Sequence, residues 1–200
     1  MDQFNIKKDE TNKFLRPINA EDVRYRRIKR MKFEDELKNV LDENCELCFH
    51  GTTIWNTEKI ISSGNISAEI DRFKEKEDAL QTAGKIYVST MQNLWFTVQH
   101  HADLLNFKYP AGCIFVISPT DEEEINSSRK NNLINNVDFI VNPNRLKAII
   151  TTPENIEMVK EWMHNSKIEC DENIVMDYDA FIVFANTLPA KESKETVFTN

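Results

Sequence analysis

The segment ELCFHGTT, residues 46–53, decides how this chain is read. It is an apolar run that reaches a histidine, His50, and then passes to Gly51, Thr52 and Thr53. Such a run predicts a buried strand over 45–49 that ends on His50. The glycine has two explanations. It can serve a turn, because a residue without Cβ makes turns easily. It can also clear the backbone so that something flat lies against it.

Working outward, a short helix is expected from about 57 to 62, stopped by Gly64. Residues 65–84 are charged and irregular, and read as a loop over a site or a short helix. KIYVST, 85–90, predicts a strand, and NLWFTVQHHADLL, 93–105, a helix with Leu94, Val98, Ala102 and Leu105 on one side. AGCIFVIS, 111–118, is continuously apolar between turns, which predicts a central strand. The stretch DEEEINSSRKNNLINN reads as a polar loop. VDFIVN (137–142) and LKAIIT (146–151) read as a hairpin about Pro143 and Asn144. Pro153 opens a helix over 153–166, and 179–187 is apolar enough for a strand or a buried helix.

Upstream, residues 1–18 form a polar arm. Asn19 is a plausible N-cap, with Glu21 and Asp22 in the first turn of a helix that runs to about 42. Its first half, RYRRIKRMK, holds Arg24, Arg26, Arg27, Lys29, Arg30 and Lys32. These charges wrap around the helix. They either pair with neighbouring acids such as Glu34, Asp35 and Glu36 or dock phosphate groups or an anionic target. Residues 188–200 are a polar tail. The order of elements predicts an α+β domain, not the βαβ alternation of a doubly wound sheet.

At 200 residues the chain is long enough for one domain with a real core. Its net charge of −8 argues against general nucleic-acid binding. No apolar run approaches the ~20 residues of a membrane span, and the first residues lack a secretory apolar region. Cys45, Cys48, Cys113 and Cys170 suggest reduced thiols in a cytoplasmic setting. Cys45 and Cys48 form a CxxC, but no second ligand pair is spaced to complete a zinc site, so no metal is expected.

Three segments together resemble the histidine-type ADP-ribosyltransferases, the group that includes the poly(ADP-ribose) polymerase catalytic domain and the small rifampin-modifying transferases. CFHGTT resembles the first signature strand, GKIYVSTMQNLWFTVQHHADLL the second, and VDFIVNPNRLKAII the third, in the family's order. The resemblance covers about 45–151. It implies a split, mixed β-sheet core with flanking helices over 45–187, preceded by the basic helix at 19–44.

The implied activity is transfer of ADP-ribose from NAD to an acceptor, with nicotinamide released. An oxocarbenium-like sugar needs negative charge and a held hydroxyl. By resemblance, His50 holds a ribose hydroxyl, the Gly51 backbone meets the nicotinamide amide, Thr52 adds a hydroxyl, Tyr87 stacks on nicotinamide, and Ser89 reaches the same end of the site. Asp138 is the acid. Many relatives carry glutamate there, so single transfer is expected at most. Glu122, Glu123 and Glu124 are the competing acids, because the rifampin-modifying enzymes place theirs in a comparable stretch. Arg24, Arg26, Arg27 and Arg30 are the candidates for docking an acceptor: a protein, a nucleic acid or a small molecule. The expected protein is monomeric and cytoplasmic, with delivery into another cell as an effector also in view. The alternatives are an inactive module that binds NAD or ADP-ribose, and an enzyme like the RNA 2′-phosphotransferases, which share the fold.

Overall fold

The computed structural model describes residues 20–21, 24, 32–33, 35–41, 47–67, 85–97, 111–119, 132–135, 137–166 and 171–188. Its centre is strand β4 (Cys113–Ile117), buried at every residue. A strand buried on both faces has no polar side to alternate with, which is why CIFVI is continuously apolar. β1 (Cys48–Thr52) pairs antiparallel with one edge of β4, and β7 (Leu146–Ile150) pairs antiparallel with the other. β8 (Val175–Met176) adds to β7 in parallel. The sheet order is therefore β1-β4-β7-β8, a mixed sheet in an α+β chain.

Two apolar layers cover this sheet. On one face Cys48, Phe115, Ile117 and Ile149 meet Ile54 and Ile61 of helix α1 (Ile54–Ser63). They also meet Val159 and Met163 of a later helix over Ile156–Asn165. On the other face Phe49, Ile114, Val116, Ala148 and Ile150 meet Tyr178 and Phe181 of the helix over Tyr178–Ala185. Phe33 and Leu37, both helical, join this second layer. Phe33 meets Tyr178 edge-on at 4.8 Å between ring centroids.

The helix boundaries follow from local chemistry. Gly64 ends α1 in the left-handed region at φ 67°, and its N–H bonds the carbonyls of Ile60 and Ile61. A Cβ there would run into the Ile140 side chain, so the position needs glycine for both conformation and space. Asp177 caps its helix by accepting from the Ala180 N–H, and this cap decides that the apolar run after it is helical. Pro153 starts a 3-10 turn that leads into the helix from Ile156.

Several expectations change. β1 begins later and runs further than 45–49, so His50 is its middle residue and does not end it. The expected hairpin of 137–142 with 146–151 does not form. β6 (Val137–Asp138) pairs instead with β2 (Asn65–Ile66), and residues 139–141 turn away at once. The reason is the Asp138 carboxylate, whose Oδ1 accepts from the N–H groups of Ile140 and Val141, both at 3.1 Å. Such an Asx turn competes with strand geometry. Part of the expected polar loop is a strand, β5 (Asn132–Asn135), antiparallel to β3 (Lys85–Val88). α2 (Leu94–Thr97) follows a 3-10 turn over Met91–Asn93, and the rest of the expected 93–105 helix lies outside the described residues. So do the whole of the expected 1–18 arm, residues 189–200 of the expected 188–200 tail, Cys45 and Cys170.

Candidate functional site

The edge of β1 away from β4 faces β3, and among the described residues the two strands pair at one rung. Phe49 N–H donates to the Ser89 carbonyl and Ser89 N–H to the Phe49 carbonyl, both at 2.8 Å. In an antiparallel ladder the backbone groups of alternate residues point to the same edge. The Gly51 N–H and C=O therefore point toward β3, and the next rung would join Gly51 to Tyr87. That rung is absent. The Tyr87 carbonyl bonds instead with His50 Nδ1, at 2.9 Å. A side chain has taken the place of a ladder bond, and among the described residues the β1–β3 pairing does not continue past it, leaving the backbone groups of buried Gly51 unpaired with β3.

This exchange fixes the state of the histidine. A carbonyl only accepts, so Nδ1 carries the proton and donates. In the neutral ring Nε2 is left as an acceptor. Burial of the ring pushes the His50 pKa below its ordinary value of 6.5, and the bond to the Tyr87 carbonyl opposes that shift only in part. The neutral form, with one donor and one acceptor, is the form favoured here.

Side-chain direction sorts the other residues. Ile86 and Val88 are buried with the α1 layer, so Tyr87 and Ser89 point to the opposite face. Across the rung this is the face of Phe49 and Gly51, where Gly51 presents no side chain. Tyr87 is 41% exposed, well above its buried neighbours Ile86 and Val88, so its ring has an open surface. Ser89 is buried, and its hydroxyl is bonded to that of Thr97. Thr52 lies on the His50 side of β1, buried opposite Cys113. The sequence missed Thr97, whose only cue was a hydroxyl in an apolar helix start.

Asp138 is exposed, and its backbone is paired with Asn65. Among the described residues no hydrogen bond joins it to His50 or Tyr87. It is linked to them through the core: His50 lies directly opposite Phe115, and the Phe115 ring stacks on Phe139 at 6.4 Å. One of its oxygens serves the 139–141 turn, and the other is outside that bonding. Beside it, the buried Asn65 Oδ1 has no hydrogen-bond partner among the described residues. Asn65 was also missed, because an Asn after a helix-stopping Gly reads only as a turn.

Cys48 and Cys113 are buried cysteines outside any disulfide among the described residues. Burial pushes the Cys113 thiol up to about 11, with hydroxyl bonds to Thr151 and Thr57 opposing it, so it is a poor nucleophile and a poor metal ligand. Among the described residues no cluster of His, Cys, Asp or Glu is arranged to hold a metal, and no helix is long and apolar enough to cross a membrane. Glu122, Glu123, Glu124, Arg26, Arg27, Lys29 and Arg30 lie outside the described residues, while Arg24 and Lys32 are helical and exposed. No family model matches the chain, and neither the curated proteins nor the solved structures give a significant match.

Proposed function

We propose that this chain is an NAD-dependent mono-ADP-ribosyltransferase. The observation that carries this reading is the strand opening: His50 and Tyr87, 37 positions apart, are bonded at the point where the β1–β3 ladder stops beside Gly51. A backbone N–H and C=O that point toward β3 without a ladder partner there match the C=O and N–H₂ of a carboxamide. The open face of Tyr87 suits a flat nicotinamide ring. Nε2 of neutral His50 suits a ribose hydroxyl, which can donate to it, and does not suit a phosphate, which cannot.

In the reaction the bond between nicotinamide and ribose breaks, and the departing ring takes the bonding electrons. The acceptor nucleophile forms the new bond to the sugar and loses its proton. The sugar gathers positive charge between these events, and a carboxylate held near it lowers the barrier. Asp138 is the residue assigned to that role. Its turn fixes one oxygen and so orients the other.

A second reading has its own support. The Asp138 carboxylate has a complete explanation as the cap of its turn, which fits a module that holds NAD or ADP-ribose without turnover. Incubation with NAD labelled in the adenylate half separates the two, with label transfer and free nicotinamide both measured. Transfer and release support the enzyme. A thermal shift with NAD but no nicotinamide supports the module. Neither shift nor release at millimolar NAD overturns both.

A further inference from the structure

We propose that Thr97 is a positioning residue, whose hydroxyl pins the single β1–β3 rung and so sets the width of the opening between Gly51 and Tyr87. The inference rests on the reading of that opening as a ligand site. Thr97 is 3% exposed, at the end of the described part of α2. Its hydroxyl donates to the Phe49 carbonyl at 3.4 Å and is bonded to the hydroxyl of Ser89, also 3% exposed. With its proton on the Phe49 carbonyl, Thr97 Oγ1 accepts from Ser89 Oγ–H. The Phe49 carbonyl thus receives both the Ser89 N–H and the Thr97 hydroxyl, which uses both of its lone pairs.

The two residues of the rung are therefore joined twice, once directly and once through Thr97. This matters because, among the described residues, no other backbone pairing holds β1 to β3. Gly51 and Tyr87 stand two residues beyond the rung on their strands, so a small shift at the rung is carried into the gap. His50 depends on the same point, because its Nδ1–H must reach the Tyr87 carbonyl. A local hydroxyl network that only satisfied buried groups would affect stability. A pin also affects fit.

The test uses the full chain with Thr97→Val, which keeps the shape and removes the hydroxyl, and Thr97→Ser, which keeps the hydroxyl. Ser89→Ala removes the partner hydroxyl and serves if Thr97→Val does not fold. Ile149→Val, in the β4–β7 ladder with β4 between it and β1, is the control for a general loss of stability. Amide exchange at Phe49 and Ser89, and the imidazole nitrogen shifts of His50, are read without ligand. KM for NAD and kcat of nicotinamide release are read with it.

In Thr97→Val the two amides should exchange at least about tenfold faster than in the control, and KM should rise about tenfold with a smaller change in kcat. Thr97→Ser should restore both. The proposal is overturned if Thr97→Val changes exchange and KM no more than Ile149→Val does. If the wild-type chain neither binds NAD nor releases nicotinamide, the functional reading fails, and the exchange and imidazole measurements alone decide whether the pin exists.

Discussion

β1 has two edges, and they are built in different ways. Toward β4 it pairs residue by residue from Cys48 to Thr52, with apolar layers on both faces. Toward β3 it makes one rung at Phe49 and then parts. The first edge is made of close packing, where each lost methylene is felt. The second is made of a few directional bonds around an opening. One strand therefore carries both the stability of the domain and the candidate chemistry, and its two edges can be perturbed separately.

The largest effect should come from the packed edge. Phe115→Ala removes a fully buried ring between His50 and Phe139, and should cost about 3–5 kcal/mol in denaturant unfolding. If it costs under about 1 kcal/mol, the two edges do not differ as described. Next, on the proposed reading, Asp138→Asn should cost about 2.7–4 kcal/mol of transition-state stabilisation, seen as nicotinamide release slowed 10²–10³-fold. The asparagine oxygen still accepts from Ile140 and Val141, so melting should move little. Asp138→Ala should lower the melting temperature as well. Full activity in Asp138→Asn would leave Asp138 as a turn cap and point to Glu122, Glu123 or Glu124.

Gly64→Ala should destabilise by about 1–3 kcal/mol from the positive φ alone. The collision with Ile140 adds to this, and because Phe139 N–H is bonded to the Gly64 carbonyl, the turn beside Asp138 should loosen too. Tyr87→Ala should destabilise much less than Phe115→Ala, since the residue is 41% exposed, and should weaken NAD binding by about 0.5–1.5 kcal/mol by calorimetry.

The smallest effect is set by pH. The folded pKa of His50 is lower than its unfolded value, so its contribution to stability is full above about 6.5 and is lost as pH falls through the depressed folded value. NAD affinity should fall in the same direction, because protonated Nε2 no longer accepts. His50→Ala should remove the His50 part of both pH dependences.

What was legible in the sequence was what packing dictates. CIFVI could only be a central strand. Pro153 marked the helix that follows it, and Gly64 marked the end of α1. The three candidate segments were found from residue types, but their geometry was not. His50 was expected to end a strand, and it lies mid-strand because pairing with β4 continues through Gly51 and Thr52. Phe139, Ile140 and Val141 have strand propensity, and the Asp138 cap overrides it. Ile140 and Val141 are left 45% and 80% exposed. The interception of the Tyr87 carbonyl by His50 is a contact between distant segments, and no local pattern encodes it. NNLINN looked like a loop because strand β5 gains its fit from pairing with β3 and not from an apolar alternation.

The bonds that define the opening span 37 and 48 positions, and β4 is made well after β1. During synthesis β1 leaves the ribosome first and waits on the order of seconds for its packed partner. In that interval Cys48 and Phe49, fully buried in the finished fold, are exposed to other chains. A nascent chain that stops before residue 113 holds His50, Gly51, Tyr87 and Thr97 but has no β4 to support them. Its failure would be aggregation, not partial activity. Chaperone occupancy should peak before β4 emerges and fall once the β1–β4 ladder closes.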